Sequence, residues 1–400
     1  MRSAERIWRA LGAALAGGMC AVLPALAAPA GVYAAPACGA PPPATQPATP
    51  GSDELPWAQK RQGLDRLAGL ADGAGVLVAV IDSGVDATHP QLAGAVIAGI
   101  DALDTGGDGR IDCVGHGTAV ASIVAGRARP GVGFRGVAPA ATILPVRVSE
   151  RVDDETGGRA AALAEVAAAG RRAADRGARV INLSLTTDRD DPALRDAVRY
   201  ARARDALVVA AAGNRYEDGN PLPFPAAYEG VVGVGGVQPD GSRVPTSQTG
   251  PQVDLVAPGA DITAAARGGG YARYAGTSFA AAFVAGTAAL VRQYQPALTA
   301  DQVAQRLVAT ADTLDPAPAS GLGAGLVNPY RAVTASPDAK PPAVAGPVTR
   351  RPPDPAARRA AIAAARDERT AYRLALGGVA AVALLLLLAS ALPRLRRRPT

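Results

Sequence analysis

Aromatic residues make up only 4% of this 400-residue chain, although 48% of it is apolar. Its core must therefore be assembled mainly from Ala, Val, Leu and Ile, and apolar content that high excludes a wholly disordered polypeptide. Lysine is almost missing: Lys60 and Lys340 are the only two, so the positive charge is nearly all arginine. Histidine occurs twice, as His89 and His116. No zinc-ligand spacing and no phosphate-binding loop is present, so no cofactor and no metal site is expected. The formal charge of +6 would suit a nucleic-acid binder, but much of the excess sits at the chain ends, in Arg2, Arg6, Arg9, Arg394, Arg396, Arg397 and Arg398. No nucleic-acid recognition motif accompanies it, and nucleic acid is not an expected partner. There is no internal repeat.

The two ends read as membrane signals. Basic residues followed by a small, apolar run over 10–28, then small residues, have the layout of a secretory signal peptide, with cleavage after Ala27 or after Ala34. An uncleaved anchor helix is the alternative, weakened by the glycines and by Pro24. Near the other end, residues 374–392 carry no charge. As a helix they would span about 28 Å, close to the hydrocarbon thickness of a bilayer. The arginines that follow place the last residues in the cytoplasm and everything before the span outside. The expected organisation is a signal peptide (1–34), a Pro-rich extension (35–56), one globular domain (57–333), a Pro/Ala-rich linker (334–371), a transmembrane helix (372–393) and a basic cytoplasmic tail (394–400). Of three cysteines, Cys20 lies in the signal segment. Cys38 and Cys113 remain, with one possible pairing in an oxidising compartment, or two free thiols.

Between the ends, short apolar runs alternate with helical patterns. Strands are expected at 76–81, 142–146, 180–183, 207–211, 231–234 and 253–257, and helices at 117–125, 159–176, 192–204, 279–294 and 300–309. Asp191-Pro192 supplies an N-cap acceptor followed by proline at the first helical position, and Thr299 with Gln302 forms a capping box. The alternation predicts an α/β domain with a mostly parallel sheet and helices on both faces, whose site lies at the carboxyl ends of the strands.

Three short motifs carry chemistry. The 76–81 run ends in Asp82-Ser83-Gly84, at a strand tip. His116-Gly117-Thr118 opens an apolar helix. Gly276-Thr277-Ser278-Phe279-Ala280-Ala281 opens a longer one, where a serine hydroxyl would point out of the helix end beside free N–H groups. Singly each is weak, because an Asp after a strand is often a turn former and a serine at a helix start is often a cap. As an ordered set, Asp then His then Ser, they resemble the subtilisin-type serine proteases over about residues 73–333.

That resemblance implies a subtilisin-like three-layer domain and a triad of Asp82, His116 and Ser278. Ala211-Ala212-Gly213-Asn214 is similar to the segment that supplies an oxyanion-binding asparagine, here Asn214. Asn182-Leu183-Ser184-Leu185 is similar to the strand that pairs with substrate backbone, which makes Ser184, Leu185 and Gly213 expected substrate contacts. His89, in His89-Pro90-Gln91-Leu92, is expected to be structural. Cys113 just before His116, Cys38 in a Pro-rich extension, and a single C-terminal span together resemble the mycosins, membrane-anchored subtilases of type VII secretion. The mycosin likeness implies a Cys38–Cys113 bond, a polypeptide substrate, the cell membrane and a type VII secretion complex as partners, and an extracytoplasmic, single-pass serine endopeptidase. Alternatives within reach of the sequence are a structural stabiliser of such a complex and a tethered degradative protease unrelated to secretion. The extension is short for a cleavable folding domain and is expected to stay on the mature chain.

Three positions depart from the broad family pattern. Ala282 stands where proline is common, and Thr186-Thr187 where glycine is common, so that a side chain narrows or shields the specificity pocket. The glycine- and proline-rich loop 214–225 is a further candidate for specificity. Asp101, Asp104 and Asp108 resemble a cation loop only loosely and read better as a solvated turn.

Overall fold

The computed structural model describes residues 38, 47–48, 54–151, 158–314 and 321–336. The expected signal peptide (1–34), most of the extension, the linker from residue 337, the span (372–393) and the tail lie outside these residues. Among the described residues no helix is long and apolar enough to cross a membrane.

In chain order the elements are β1 (Pro47–Ala48), α1 (Trp57–Arg61), a 3-10 turn (Leu64–Leu67), β2 (Leu77–Asp82), β3 (Ile100–Asp101), α2 (His116–Ala125), β4 (Thr142–Arg147), α3 (Leu163–Asp175), β5 (Val180–Leu183), α4 (Pro192–Ala203), β6 (Leu207–Ala211), β7 (Val231–Val237), β8 (Leu255–Pro258), β9 (Ile262–Ala265), β10 (Tyr271–Tyr274), α5 (Thr277–Tyr294), α6 (Ala300–Ala309) and α7 (Pro329–Thr334). Seven strands form one parallel sheet in the order β3-β4-β2-β5-β6-β7-β8. This is the subtilisin-like α/β architecture, with strands buried on both faces as parallel sheets require.

The side-chain alternation of β2 divides the core. Val78 and Val80 face a cluster that takes in α2 and α5. Ala79 and Ile81 face the cluster formed with α3 and α4. After β2 the chain crosses to β4 on one side, and after β5 it proceeds to β6 on the other. The strand order therefore reverses between β2 and β5, the place where open α/β sheets hold their sites.

The two expected caps form. Asp191 accepts from the Leu194 N–H at 3.0 Å, and Thr299 and Gln302 bond reciprocally. Helix α3 starts at Leu163, not at 159, because residues 159–161 pair back onto residues 148–150, just after β4. The Glu150 N–H donates to the Arg159 carbonyl at 2.7 Å and the Ala161 N–H to that of Val148 at 2.8 Å. Two further differences concern strands. Strand β7 runs on to Val237 through Gly235 and Gly236. A second, antiparallel sheet, β1-β10-β9, is built from segments without a clear apolar alternation.

Candidate active site

A cleft of about 630 Å³ opens over the carboxyl ends of the central strands, lined among others by Asp82, His116, Ser184, Asn214, Thr277 and Ser278. Asp82 is the last residue of β2, its side chain only 3% exposed. Its carbonyl accepts from the Val148 N–H at 2.8 Å, which fixes the strand tip against β4. Its Oδ1 accepts from the Ser83 N–H at 2.7 Å and lies 2.7 Å from His116 Nδ1. A carboxylate oxygen can only accept, so Nδ1 carries the hydrogen and the neutral ring leaves Nε2 as its acceptor.

His116 is the first residue of α2. Gly117 follows because a Cβ there would lie 2.1 Å from the Gly84 carbonyl and 3.1 Å from the Asp82 Cβ. This close approach is what brings the helix start against the strand tip. The ring is flanked by Phe279, centroids 5.1 Å apart, and Phe279 in turn by Tyr274 at 5.1 Å. Burial, and behind it the charge of Asp112, pushes the Tyr274 hydroxyl up to about 12.

Ser278 is the second residue of α5, and its Oγ lies 3.4 Å from the Ser184 carbonyl. The backbone N–H groups of that first turn have no partner within the helix, and the helix dipole adds positive potential there. Gly276 precedes the helix at φ 143°, a conformation L side chains rarely adopt, with space for a Cβ only 3.2 Å from Asn214 Nδ2. Thr277 holds the asparagine. Its N–H donates to Asn214 Oδ1 at 2.9 Å and its hydroxyl donates to the same atom at 3.1 Å. With Oδ1 so occupied, the Asn214 amide N–H groups are the ones free to meet an anion. The Thr277 hydroxyl also accepts from the Gly213 N–H at 3.0 Å, which binds the 213–214 turn to the serine helix.

Ser184, Leu185 and Gly213 all line the cleft, and Thr186 joins them. Thr187 exchanges backbone hydrogen bonds with Phe224 at 2.9 and 2.8 Å, so the 184–187 segment is closed off at its far end by the 221–225 loop. From the earlier part of the 214–225 loop, Arg215 and Asp218 reach the cleft wall.

His89 stands apart from the site. It is buried, its Nε2 bonds the Gly270 carbonyl at 3.0 Å, and its Nδ1 accepts from the Gln91 N–H at 3.2 Å. Burial holds its pKa below the ordinary imidazole value. The acidic turn differs from a solvated one. Arg147, 1% exposed, donates to Asp101 at 2.8 Å and to Asp104 at 2.6 Å, and pairs with Glu150; Arg159 closes the ring on Asp104 and Glu150. These guanidinium hydrogen bonds, Arg159 first, bring Asp104 down to about 2. Asp101 and Asp104 thus serve as counter-ions, while Asp108 pairs with Arg110. Among the described residues no cluster of three or more His, Cys, Asp or Glu side chains is arranged to hold a metal ion.

Cys38 and Cys113 are joined, with Cα atoms 5.2 Å apart across a sequence separation of 75. Closing a loop of that length stabilises by about 4–5 kcal/mol in the chain-entropy model. Sequence reasoning missed Thr277, Asp112 and Arg147. Thr277 was visible beside Ser278 and Asp112 beside Cys113, but nothing in a sequence shows which acceptors they meet. Arg147 lies inside an apolar strand pattern, where a lone charge reads as a strand end.

A family model described as the subtilase family matches residues 73–325. A thermophilic serine proteinase of Bacillus sp. is 41% identical over 65% of the chain, which spans 62% of that relative's length. Mycosin-3 of Mycobacterium tuberculosis is 36% identical over 82% of the chain and 81% of its own length. The solved structure of the MycP3 protease from a type VII (ESX-3) secretion system superposes with a TM-score of 0.62 at 36% identity, over 74% of this chain and 97% of that one. The chain belongs to the subtilase family of serine peptidases, within its mycosin group.

Proposed function

We propose that this chain is an extracytoplasmic serine endopeptidase in which Asp82, His116 and Ser278 form the triad and Asn214 completes an oxyanion hole. The observation that carries the reading is the 2.7 Å contact between His116 Nδ1 and Asp82 Oδ1, at the floor of a cleft that Ser278 also lines. Ser278 Oγ attacks the scissile carbonyl carbon, and its proton passes to His116 Nε2. Asp82 keeps the imidazole in the tautomer that can accept it and stabilises the imidazolium. The C=O π electrons move onto oxygen, which accepts from Asn214 Nδ2 and the Ser278 N–H. Collapse breaks the C–N bond, His116 returns the proton to the leaving amine, and water then cleaves the acyl ester by the same route reversed. An extended peptide would lie along 184–186 by strand addition.

In the same reading residues 1–34 direct export, 372–393 anchor the chain and 394–400 face the cytoplasm, as the charge pattern supports. The likeness to mycosins supports work beside a type VII secretion complex. A fluorophosphonate probe applied to the detergent-solubilised full chain tests the catalytic part. Label is expected on the wild type and on neither Ser278→Ala nor His116→Ala. No label on folded wild type would defeat the reading and favour a purely structural partner of that complex.

A further inference from the structure

Behind the Asp82–His116 pair lies a second carboxylate that the mechanism above does not use. Asp112 is 2% exposed. Its Oδ1 accepts from the N–H groups of Val114 (3.0 Å) and Gly115 (2.7 Å) and from the Ser83 hydroxyl (2.9 Å). Its Oδ2 accepts from the Thr118 N–H (2.9 Å) and hydroxyl (2.6 Å). Five donors converge on one side chain, and both oxygens meet backbone N–H groups, an arrangement that suits a carboxylate and no other group of its size. Ser83 joins this knot to the reacting pair. Its hydroxyl accepts from the Gly117 N–H at 2.9 Å, and its own N–H donates to the Asp82 oxygen that holds His116. Residues 112–118, the turn that presents His116, are thereby wrapped around Asp112.

We propose that Asp112, acting through Ser83 and the turn it organises, is a positioning residue for His116 and supplies a second negative charge behind the imidazole. The inference rests on His116 being the general base. The other charged or titratable groups facing this turn are Asp82 on β2, Tyr274 on β10, Arg147 on β4, whose guanidinium lies 4.0 Å from Cys113 Sγ, and Arg267 in the β9–β10 turn, which donates to the Cys113 carbonyl at 2.9 Å. Burial raises the Asp112 carboxyl above its ordinary value against its hydrogen bonds, and the Asp82 charge adds to the rise. All five contacts of its oxygens come from donors, three of them backbone N–H groups that cannot accept a carboxyl proton, which favours the ionised form. An imidazolium formed during acylation meets Asp82 directly and Asp112 one layer further back.

Removing the rear charge lowers the basicity of His116, so the acid limb of kcat/KM moves to lower pH while the turn loosens. The test compares full-length wild type, Asp112→Asn and Ser83→Ala, each normalised to active sites counted with a fluorophosphonate. For Asp112→Asn the expected result is a kcat lower by about 10–100-fold, KM within about 2-fold, and an acid limb shifted down by about 0.5 pH unit or more. Ser83→Ala keeps the charge and cuts the bridge; a fall in kcat of about 5-fold with an unmoved acid limb is expected. A fold defect alone would lower the countable sites and leave both the kcat per site and the limb unchanged. That result in Asp112→Asn overturns the proposal. If Asp112→Asn does not fold, Ser83→Ala decides, and a kcat per site within about 1.5-fold of wild type overturns it. Wild type that takes no label defeats the protease reading itself and is thereby told apart from failure of this inference.

Discussion

Asp82 and His116 stand on a wall of the cleft held by polar contacts, whereas Ser278 and Asn214 stand on one held by apolar packing. On the first wall, the His116 turn is clamped by Asp112, bonded through Cys113 to Cys38, and backed by the ring of Asp101, Asp104 and Glu150 around buried Arg147. On the second, α5 runs through the larger core cluster with nearly every side chain buried, and only Thr277 and Gly276 at its tip are specialised. A helix apolar on all sides gives a rigid support that is indifferent to pH and redox state. A polar clamp gives finer aim but depends on charges staying as they are.

Changes at each wall should therefore fail differently. The largest effect on chemistry is expected from Asn214→Ala, with kcat down by about 10²–10³-fold and KM little changed, read with a chromogenic peptide. Arg147→Ala leaves Asp101, Asp104 and Glu150 without their buried partner and should destabilise by about 3–5 kcal/mol in denaturant titration. Its pH signature is as telling. Asp104 and Glu150 have folded pKa values below their ordinary ones, so the stability they confer is present above about pH 4 and is lost as pH falls toward about 2. The variant should show a shallower slope, because Arg159 still pairs with both carboxylates, and an unchanged slope would disprove the part Arg147 plays in the ring. On the apolar wall, Gly286→Val presses a Cβ to within 2.7 Å of that of Val137. About 1–3 kcal/mol of stability should go, nearly independent of pH from 4 to 8. The smallest effect belongs to Thr186→Gly, which should raise kcat/KM for large side chains before the cut by a few-fold and leave small ones unchanged. Equal rises for both would show that Thr186 does not shape the pocket.

The apolar wall was legible in the sequence and the polar one only in part. The α5 pattern, the strand runs and the 299–302 capping box follow from periodicity and local chemistry, which is why those elements sit where expected. The ordered Asp, His and Ser motifs pointed to one cleft because each lies where a strand or helix must begin or end. The clamp was not legible. Whether Asp104 meets water or Arg147 depends on a contact 43 residues away, and whether Arg159 starts a helix depends on Glu150. Long-range ion pairs leave no period behind them. Neither does the β9–β10 hairpin, whose partner strand β1 lies more than two hundred residues earlier in the chain.

The bond between Cys38 and Cys113 changes what a peptide-bond cut would mean. Suppose a protease cleaved between residues 49 and 53. The piece carrying Cys38 would remain covalently part of the molecule, since its attachment runs through Cys113 and not through the main chain. Such a nicked protein would migrate as one species without reductant and as two with it. Processing of this stretch can alter the chain count without releasing a fragment, and release would be governed by the thiol chemistry of the compartment.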